Sequence, residues 1–143
     1  MGKIRVKTQS AKAGEGSAQG ASKASRKRLD TGVMHIEATY NNTKLGLSDS
    51  AGNIVCWSSS GTLGFKGAKK GTPFAAAKVG EHLGDIAKDL GVREIGVIVK
   101  GVGAGRESAI RSFVARSGAI ISFLEDQTPI PFNGPRPKKP RRI

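Results

Sequence analysis

The segment VKGVGAGRESAIR, residues 99–111, contains residue types that can bind phosphate. Gly101, Gly103 and Gly105 separate an apolar run from a predicted helix, and Arg106 follows them. Glycine lets backbone N–H groups approach an anion closely, and a helix N-terminus adds unpaired donors and a positive dipole. A guanidinium group matches the geometry of phosphate oxygens. The loop alone predicts an anion site or, equally well, a tight strand-to-helix turn with an incidental arginine.

The spacing of these glycines differs from the motifs that bind nucleotide cofactors. A dinucleotide fingerprint needs G-x-G-x-x-G, and Arg106 occupies the position of its third glycine. No window of the chain provides the G-x-x-x-x-G-K-[ST] pattern of a P-loop. We therefore expect no nucleotide cofactor.

A second glycine-rich loop, GFKGAKKGT at residues 64–72, also lies between a predicted strand and a predicted helix. It carries Lys66, Lys69 and Lys70. Strand-to-helix junctions of one α/β sheet tend to open toward the same edge, where such proteins place ligands. Two cationic junctions at one edge predict a surface for an extended polyphosphate.

Charge is concentrated at the two ends of the chain, which has a net charge of +13. Residues 1–30 contain eight basic and two acidic residues, and residues 132–143 contain five basic and no acidic residues. Blocks of like charge repel themselves and stay disordered until a polyanion neutralises them. Neither end has the apolar face that membrane binding would require, so nucleic acid is the favoured partner.

Hydrophobic periodicity predicts the element order β-β-β-α-β-α-β. Alternating, tightly connected segments predict three antiparallel strands, and Thr72 and Gly91 bracket a helix as its predicted caps. The fold class is α/β, a mixed five-stranded sheet with helices packed on it. The predicted strands cover residues 33–40, 44–49, 54–59, 93–100 and 119–125, and the second helix covers 107–117. We divide the chain into a basic disordered extension (1–30), a nucleic-acid-binding α/β domain (31–128) and a proline-rich basic tail (129–143).

This order of elements also occurs in ribonuclease H-like nucleases, which hold metal with clustered carboxylates. The carboxylates Glu37, Glu81 and Asp85 do not gather at the end of the fourth strand, where Lys100 precedes the glycine loop. We therefore expect neither an enzyme nor a metal site. Among the aromatic residues, Trp57 could stack on a base or could pack against a helix, and the sequence leaves both open.

Four segments together carry a family resemblance. NNT, CWSSSGTLGFKGAKKGTPFAAA, VKGVGAGRESAIRSF and DQTPIPFNGPRPKK closely resemble the bacterial small-subunit ribosomal protein eleven family, from about Thr31 to the C-terminus. The resemblance implies a ribonuclease H-like architecture without its chemistry, in a cytoplasmic ribosome. It implies binding of 16S rRNA on the platform of the 30S subunit, bridging RNA helices beside the Shine–Dalgarno and messenger exit cleft. It also implies ribosomal proteins seven and eighteen as neighbours and initiation factor three nearby.

The residues expected to bind rRNA fall into four groups. Lysines, glycines and Arg106 of the two junctions would hold the RNA backbone, and polar side chains of two turns would reach 2′-hydroxyls or unpaired bases. Basic residues of the second helix and the tail would neutralise phosphates. The set is Asn41, Asn42, Thr43, Ser58, Ser59, Ser60, Lys66, Lys69, Lys70, Gly101, Gly103, Gly105, Arg106, Arg111, Asn133, Arg136, Lys138, Lys139, Arg141 and Arg142. Asn133 precedes Gly134, so it is also a candidate for isoaspartate formation. A stand-alone basic nucleic-acid chaperone is the alternative function.

Overall fold

The computed structural model describes residues 28–143; the predicted disorder of the N-terminal extension falls almost entirely outside this range. The elements are β1 (Thr31–Ala38), β2 (Thr43–Ser48), β3 (Ile54–Ser59), α1 (Pro73–Leu90), β4 (Glu94–Lys100), α2 (Arg106–Ser117) and β5 (Ile120–Asp126), with a 3₁₀ turn at Gly67–Gly71. The strands form one mixed sheet in the order β3-β2-β1-β4-β5. The predicted five-stranded sheet with helices packed on it is confirmed.

Side-chain alternation decides which face of the sheet is covered. In β1, Met34, Ile36 and Ala38 are buried against the helices, whereas His35 and Glu37 are exposed on the other side. β1 pairs antiparallel with β2 and parallel with β4. Because the buried side chains of β1 all point to one side, the helices cover that face of the sheet. We call the opposite, uncovered side the open face.

The predicted caps of α1 are confirmed. Thr72 Oγ1 accepts a hydrogen bond from the Ala75 N–H (3.3 Å), and Pro73 begins the helix. Gly91 ends it with φ 80°, a left-handed conformation that glycine adopts without a Cβ penalty. The apolar stripe of α1 thus lies on the sheet, with Val79 and Leu83 fully buried.

Helix α2 packs mainly on α1 rather than across β5. Gly80 and Gly84 of α1 allow this close approach, because a Cβ at Gly80 would lie 2.6 Å from the Ala109 carbonyl oxygen. Phe113 is buried between the layers. Strand β5 stays exposed along its whole length, so its apolar sequence does not reflect burial.

Two residues assigned by the sequence to the N-terminal extension contact the domain. The Leu29 N–H donates to the Leu90 carbonyl oxygen (3.1 Å), and the Arg93 N–H donates to the Asp30 carbonyl oxygen (2.9 Å). Leu29 also packs against the core. The folded unit therefore begins at or before Leu29.

Candidate nucleic-acid interface

The predicted site residues of the β1–β2 turn and of the two strand-to-helix junctions meet at one edge of the sheet. β2 runs antiparallel to both β1 and β3, and β4 and β5 run parallel to β1, so four strands end at the same edge. The β1–β2 turn and both strand-to-helix junctions lie there. The structure thus brings the two glycine-rich loops to a common edge, as the sequence predicts.

The β3–α1 junction, residues 60–72, presents its cations to solvent. Lys66 and Lys69 are exposed and Lys70 is half-buried. Within residues 28–143, none of these lysines forms an ion pair or a side-chain hydrogen bond. Their charges lie next to the N-terminus of α1, so the junction has the electrostatics of an anion-binding surface.

The β4–α2 junction, residues 101–105, uses its glycines for packing. Gly101 has φ 97°, and a Cβ there would overlap the Ala38 carbonyl oxygen. The Gly103 N–H donates to that same oxygen (2.9 Å), and the Gly101 N–H donates to Thr128 Oγ1 (3.2 Å). The buried Gly105 lies against Thr43. Two loop N–H groups that could have faced an anion are therefore committed within the protein.

Arg106 is also engaged within the protein. Its Nη1 donates to the Gly101 carbonyl oxygen, and its Nη2 donates to Asp126 Oδ2 (2.5 Å). Hydrogen bonds from Thr128 and then from Arg106 lower the pKa of Asp126 to about 2. The guanidinium thus ties the glycine loop to the end of β5. The sequence had instead predicted that this group is free to hold phosphate.

The polar residues of the β1–β2 turn divide by exposure. Asn41 is exposed, and Asn42 is half-buried with its Oδ1 accepting a hydrogen bond from the Thr43 N–H (3.0 Å). Thr43 is fully buried, and its hydroxyl has no hydrogen-bond partner in the described part of the chain. Of these three side chains, only that of Asn41 projects freely into solvent.

The serines that end β3 are buried as well. Ser60 is fully buried and its hydroxyl donates to the Thr43 carbonyl oxygen (3.4 Å), while the Ser59 N–H donates to Thr62 Oγ1 (2.9 Å). Ser58 is 3% exposed. These hydroxyls form hydrogen bonds within the protein at the start of the β3–α1 junction, and their burial keeps them off the protein surface.

Other predicted site residues lie away from the junctions. Arg111 is exposed on α2, where its guanidinium donates to Glu107 Oε2 (3.3 Å). The tail from Gln127 onward has no helix or strand, and Asn133 within it has φ 55°. The basic side chains of the tail are all exposed, namely Arg136, Lys138, Lys139, Arg141 and Arg142.

Sequence comparison decides the family. The family model described as Ribosomal protein S11 matches residues 32–142. The chain belongs to this family. It is similar to the small ribosomal subunit protein uS11c of Cyanidioschyzon merolae, with 53% identity over 118 residues, which are 82% of this chain and 97% of the relative. It is also 47% identical over 121 residues to the small ribosomal subunit protein uS11 of Helicobacter pylori strain G27, covering 85% and 92% of the two chains.

The match to the Ribosomal protein S11 family includes every predicted site residue, because the first is Asn41 and the last is Arg142. In the part of the chain that the structure describes, no group of three or more histidine, cysteine or acidic side chains could hold a metal ion. Cys56 is half-buried, and burial raises the pKa of its thiol to about 11. No helix between residues 28 and 143 is both long and apolar enough to cross a bilayer.

Trp57 is one of several exposed aromatic residues outside the predicted set. Trp57 is 63% exposed and lies on the open face, where it pairs in register with Gly46. The alternative that it packs against a helix is wrong, because α1 and α2 cover the opposite face. The period-two alternation of β3 could have revealed this, since Cys56 and Ser58 on either side of Trp57 point toward the helices.

Proposed function

We propose that this chain is a structural constituent of the small ribosomal subunit that binds 16S rRNA on the platform. It bridges RNA helices and helps to form the cleft where the Shine–Dalgarno duplex lies and the messenger leaves. Ribosomal proteins seven and eighteen are its neighbours, and initiation factor three binds nearby. Its role in translation is non-catalytic. Family membership supports the proposal, and so does the edge at which both junctions meet.

The exposed, unpaired lysines of the β3–α1 junction are the observation that carries this proposal. An ammonium group that has no carboxylate partner gives up no ion pair when it binds phosphate, and it releases counterions from the RNA. Lys66 and Lys69 therefore contact the RNA backbone, with Lys70 beside them. The N-terminus of α1 adds its dipole to the same site.

Buried polar groups have a positioning role in this proposal. Ser60 bonds to the Thr43 carbonyl oxygen through both its N–H and its hydroxyl, which holds the start of the β3–α1 junction against the start of β2. Ser58 and Ser59 bond to Thr62 within that junction. Asn41 then faces the RNA from the neighbouring β1–β2 turn. Gly101, Gly103, Gly105 and Arg106 hold the second junction in place by packing and hydrogen bonds. Asn42 closes the turn, because its carbonyl oxygen accepts from the Thr39 N–H (2.9 Å) and its Oδ1 accepts from the Thr43 N–H.

The basic tail and Arg111 extend the contact surface beyond this edge. The tail, residues 129–143, carries five cations and has no helix or strand that would confine them. Such a segment follows an RNA groove or enters between RNA helices at little steric cost. It is the part of the chain best suited to bridging.

Co-sedimentation separates this function from that of a free nucleic-acid chaperone. Full-length protein is mixed with 16S rRNA and protein-depleted small subunits, then centrifuged through a high-salt cushion. A structural constituent stays with the subunit, and ultraviolet crosslinks map to a few fixed rRNA positions. Release into the supernatant, with crosslinks spread along the RNA, would support the chaperone instead.

Asn133 is proposed as a modification site in the assembled protein. It is the one non-glycine residue with positive φ in the described chain, it is exposed, and Gly134 follows it. Because Gly134 has no Cβ, its backbone nitrogen attacks the Asn133 side-chain carbonyl carbon with little hindrance and expels ammonia. Water then opens the resulting succinimide ring to give isoaspartate. Mass spectrometry that distinguishes isoaspartate from asparagine tests this. Unmodified asparagine throughout freshly prepared subunits would refute it.

A further inference from the structure

The open face contains a bay bounded by an aromatic ring on each side. Trp57, Gly46, His35 and Ile98 are register partners across β3, β2, β1 and β4, and all four lie on the open face. No atom lies within 4 Å of the position where a Cβ of Gly46 would be. The missing side chain leaves a gap between the indole and the imidazole.

The size of this bay suits one planar ring. Neighbouring strands lie about 4.8 Å apart, so the backbones of Trp57 and His35 are roughly 10 Å apart. A ring stacked on the indole needs about 3.5–4 Å of that distance. The whole depression has a volume of about 540 Å³, which is in the range of small-molecule sites. His35 is fixed in place by a hydrogen bond between its Nε2 and Ser48 Oγ (3.0 Å).

The rim of the bay carries charge of the sign that RNA requires. Lys44 and Lys100 flank Glu37 in the next register row, and Lys44 Nζ lies 3.7 Å from the Glu37 carboxylate. The three side chains together carry a net charge of +1. Both lysines are exposed, so they can reach a phosphate that flanks a bound base.

The bay is continuous with the candidate RNA interface. Its lining includes Thr39, which precedes the β1–β2 turn, and Gly101, which begins the β4–α2 junction. A strand of RNA that crosses this edge therefore passes the mouth of the bay. An exposed indole beside lysines is the arrangement with which proteins bind unpaired bases.

We propose that the bay holds one unpaired base of the bound RNA, stacked on Trp57 above Gly46, with Lys44 and Lys100 at its flanking phosphates. This inference rests on the proposed function, because it assigns a single-stranded nucleotide of the same RNA to a second part of the protein. A peptide from a neighbouring protein is the competing occupant, and the experiment below tells the two apart.

Fluorescence tests the proposal, since Trp57 is the only tryptophan of the chain. We expect six-nucleotide oligoadenylate to quench its emission saturably in the full-length protein, and 16S rRNA to do the same. Gly46→Val places a branched side chain in the gap beside the indole, where a Cβ meets no atom within 4 Å, and it keeps the fluorophore, so it should abolish the quenching. Emission that oligoadenylate quenches equally in Gly46→Val would overturn the proposal.

Affinity for 16S rRNA gives a second, independent readout. Trp57→Leu should weaken binding about 5- to 100-fold, as expected for the loss of one stacked base. Leu124→Ala is the matched control, because Leu124 is also a strand residue with 63% exposure but lies on the other face. It should bind within twofold of the wild type. Equal binding by wild type and Trp57→Leu would contradict the proposal.

Two further outcomes separate this inference from the proposed function. If Trp57→Leu is neutral while replacement of the junction lysines weakens binding, only the bay is refuted. If the wild-type protein does not bind 16S rRNA, the proposed function and the bay fail together. Emission that RNA leaves unchanged but that shifts on assembly into complete subunits would identify a protein occupant and overturn the assignment to RNA.

Discussion

The two strand-to-helix junctions resemble each other in sequence and differ in structure. Gly64 and Gly67 of the β3–α1 junction have positive φ, and nothing lies within 4 Å of a Cβ at either position. Gly101 of the β4–α2 junction also has positive φ, but there a Cβ would overlap Ala38 at the end of β1. The cations differ in the same way: Lys66 and Lys69 face solvent unpaired, whereas Arg106 is bonded to Gly101 and Asp126.

This difference shows that glycine and a cation at a helix N-terminus serve two separate purposes. In one junction they keep a loop open and charged, which suits binding. In the other they let the chain pass close to a neighbouring turn and fasten it there, which suits positioning. The two junctions share glycines and cations, and the surroundings of each loop decide whether these residues bind a ligand or position the chain.

Replacement of junction glycines should give the largest effect. Gly101→Ala combines an unfavourable φ with overlap of the Ala38 carbonyl oxygen, so we expect the free energy of unfolding to fall by roughly 4 kcal/mol or the protein to fail to fold. Gly64→Ala is the matched control, because it has similar φ in open space and should cost only about 1–2 kcal/mol. Urea unfolding measures both, and equal costs would break the comparison.

Replacement of the three junction lysines should act on binding alone. The Lys66→Ala/Lys69→Ala/Lys70→Ala variant should flatten the slope of log affinity against log salt by about 2–3, as expected for three phosphate contacts. Its unfolding free energy should stay within about 0.5 kcal/mol of the wild type. Filter binding to 16S rRNA at several salt concentrations measures the slope. An unchanged slope would show that this junction does not contact RNA.

Arg106 should behave in the opposite way. Arg106→Ala removes the hydrogen bonds to Gly101 and Asp126, so we expect the unfolding free energy to fall by about 1–2 kcal/mol. Arg106→Lys keeps the charge but loses the two-pronged geometry, and it should be destabilised as well while its salt slope stays at the wild-type value. A stable alanine variant with a slope flattened by about 1 would assign Arg106 to the RNA instead.

The smallest effect concerns acid stability. The pKa of Asp126 lies at about 2 in the folded protein, below its ordinary value of 3.8. A carboxyl group with a lowered folded pKa stabilises the fold at pH above its unfolded pKa, and this contribution is lost as the pH falls through the folded pKa. The stability of wild type over Asp126→Asn should therefore be constant above about pH 5 and shrink between about pH 4 and 2. Urea titrations across that range test it, and a difference that persists at pH 2 would count against the ion pair.

The sequence predicted most of the fold because its signals are local. Thr72, Pro73 and Gly91 mark the ends of α1 within a few residues of chain, and alternation in β1 separates Met34 from His35. Exposure of β5 could not be predicted, because it depends on α2 lying over α1 instead of over the sheet edge. The position of α2 is set by packing between two helices that lie far apart in the sequence.

The common edge of the two junctions could be predicted from the sequence, but the contacts within each junction could not. Both junctions were placed at one edge, since that follows from strand direction alone. The partner of Arg106 is Asp126, twenty residues later, and Ser60 is hydrogen-bonded to Thr43 of β2, so neither contact could be seen in a local pattern. The alternation of β3 indicates that Trp57 is exposed, because its neighbours Cys56 and Ser58 point toward the helices.

Lysine footprinting measures the central claim most directly. The full-length protein, free and bound to 16S rRNA, is acetylated briefly and the extent of modification at each lysine is read by mass spectrometry. We predict strong protection of Lys66 and Lys69 by the RNA and none of Lys88, which is exposed near the other end of α1. Protection of Lys88 with free modification of Lys66 and Lys69 would contradict the assignment of the β3–α1 junction as the RNA-binding edge.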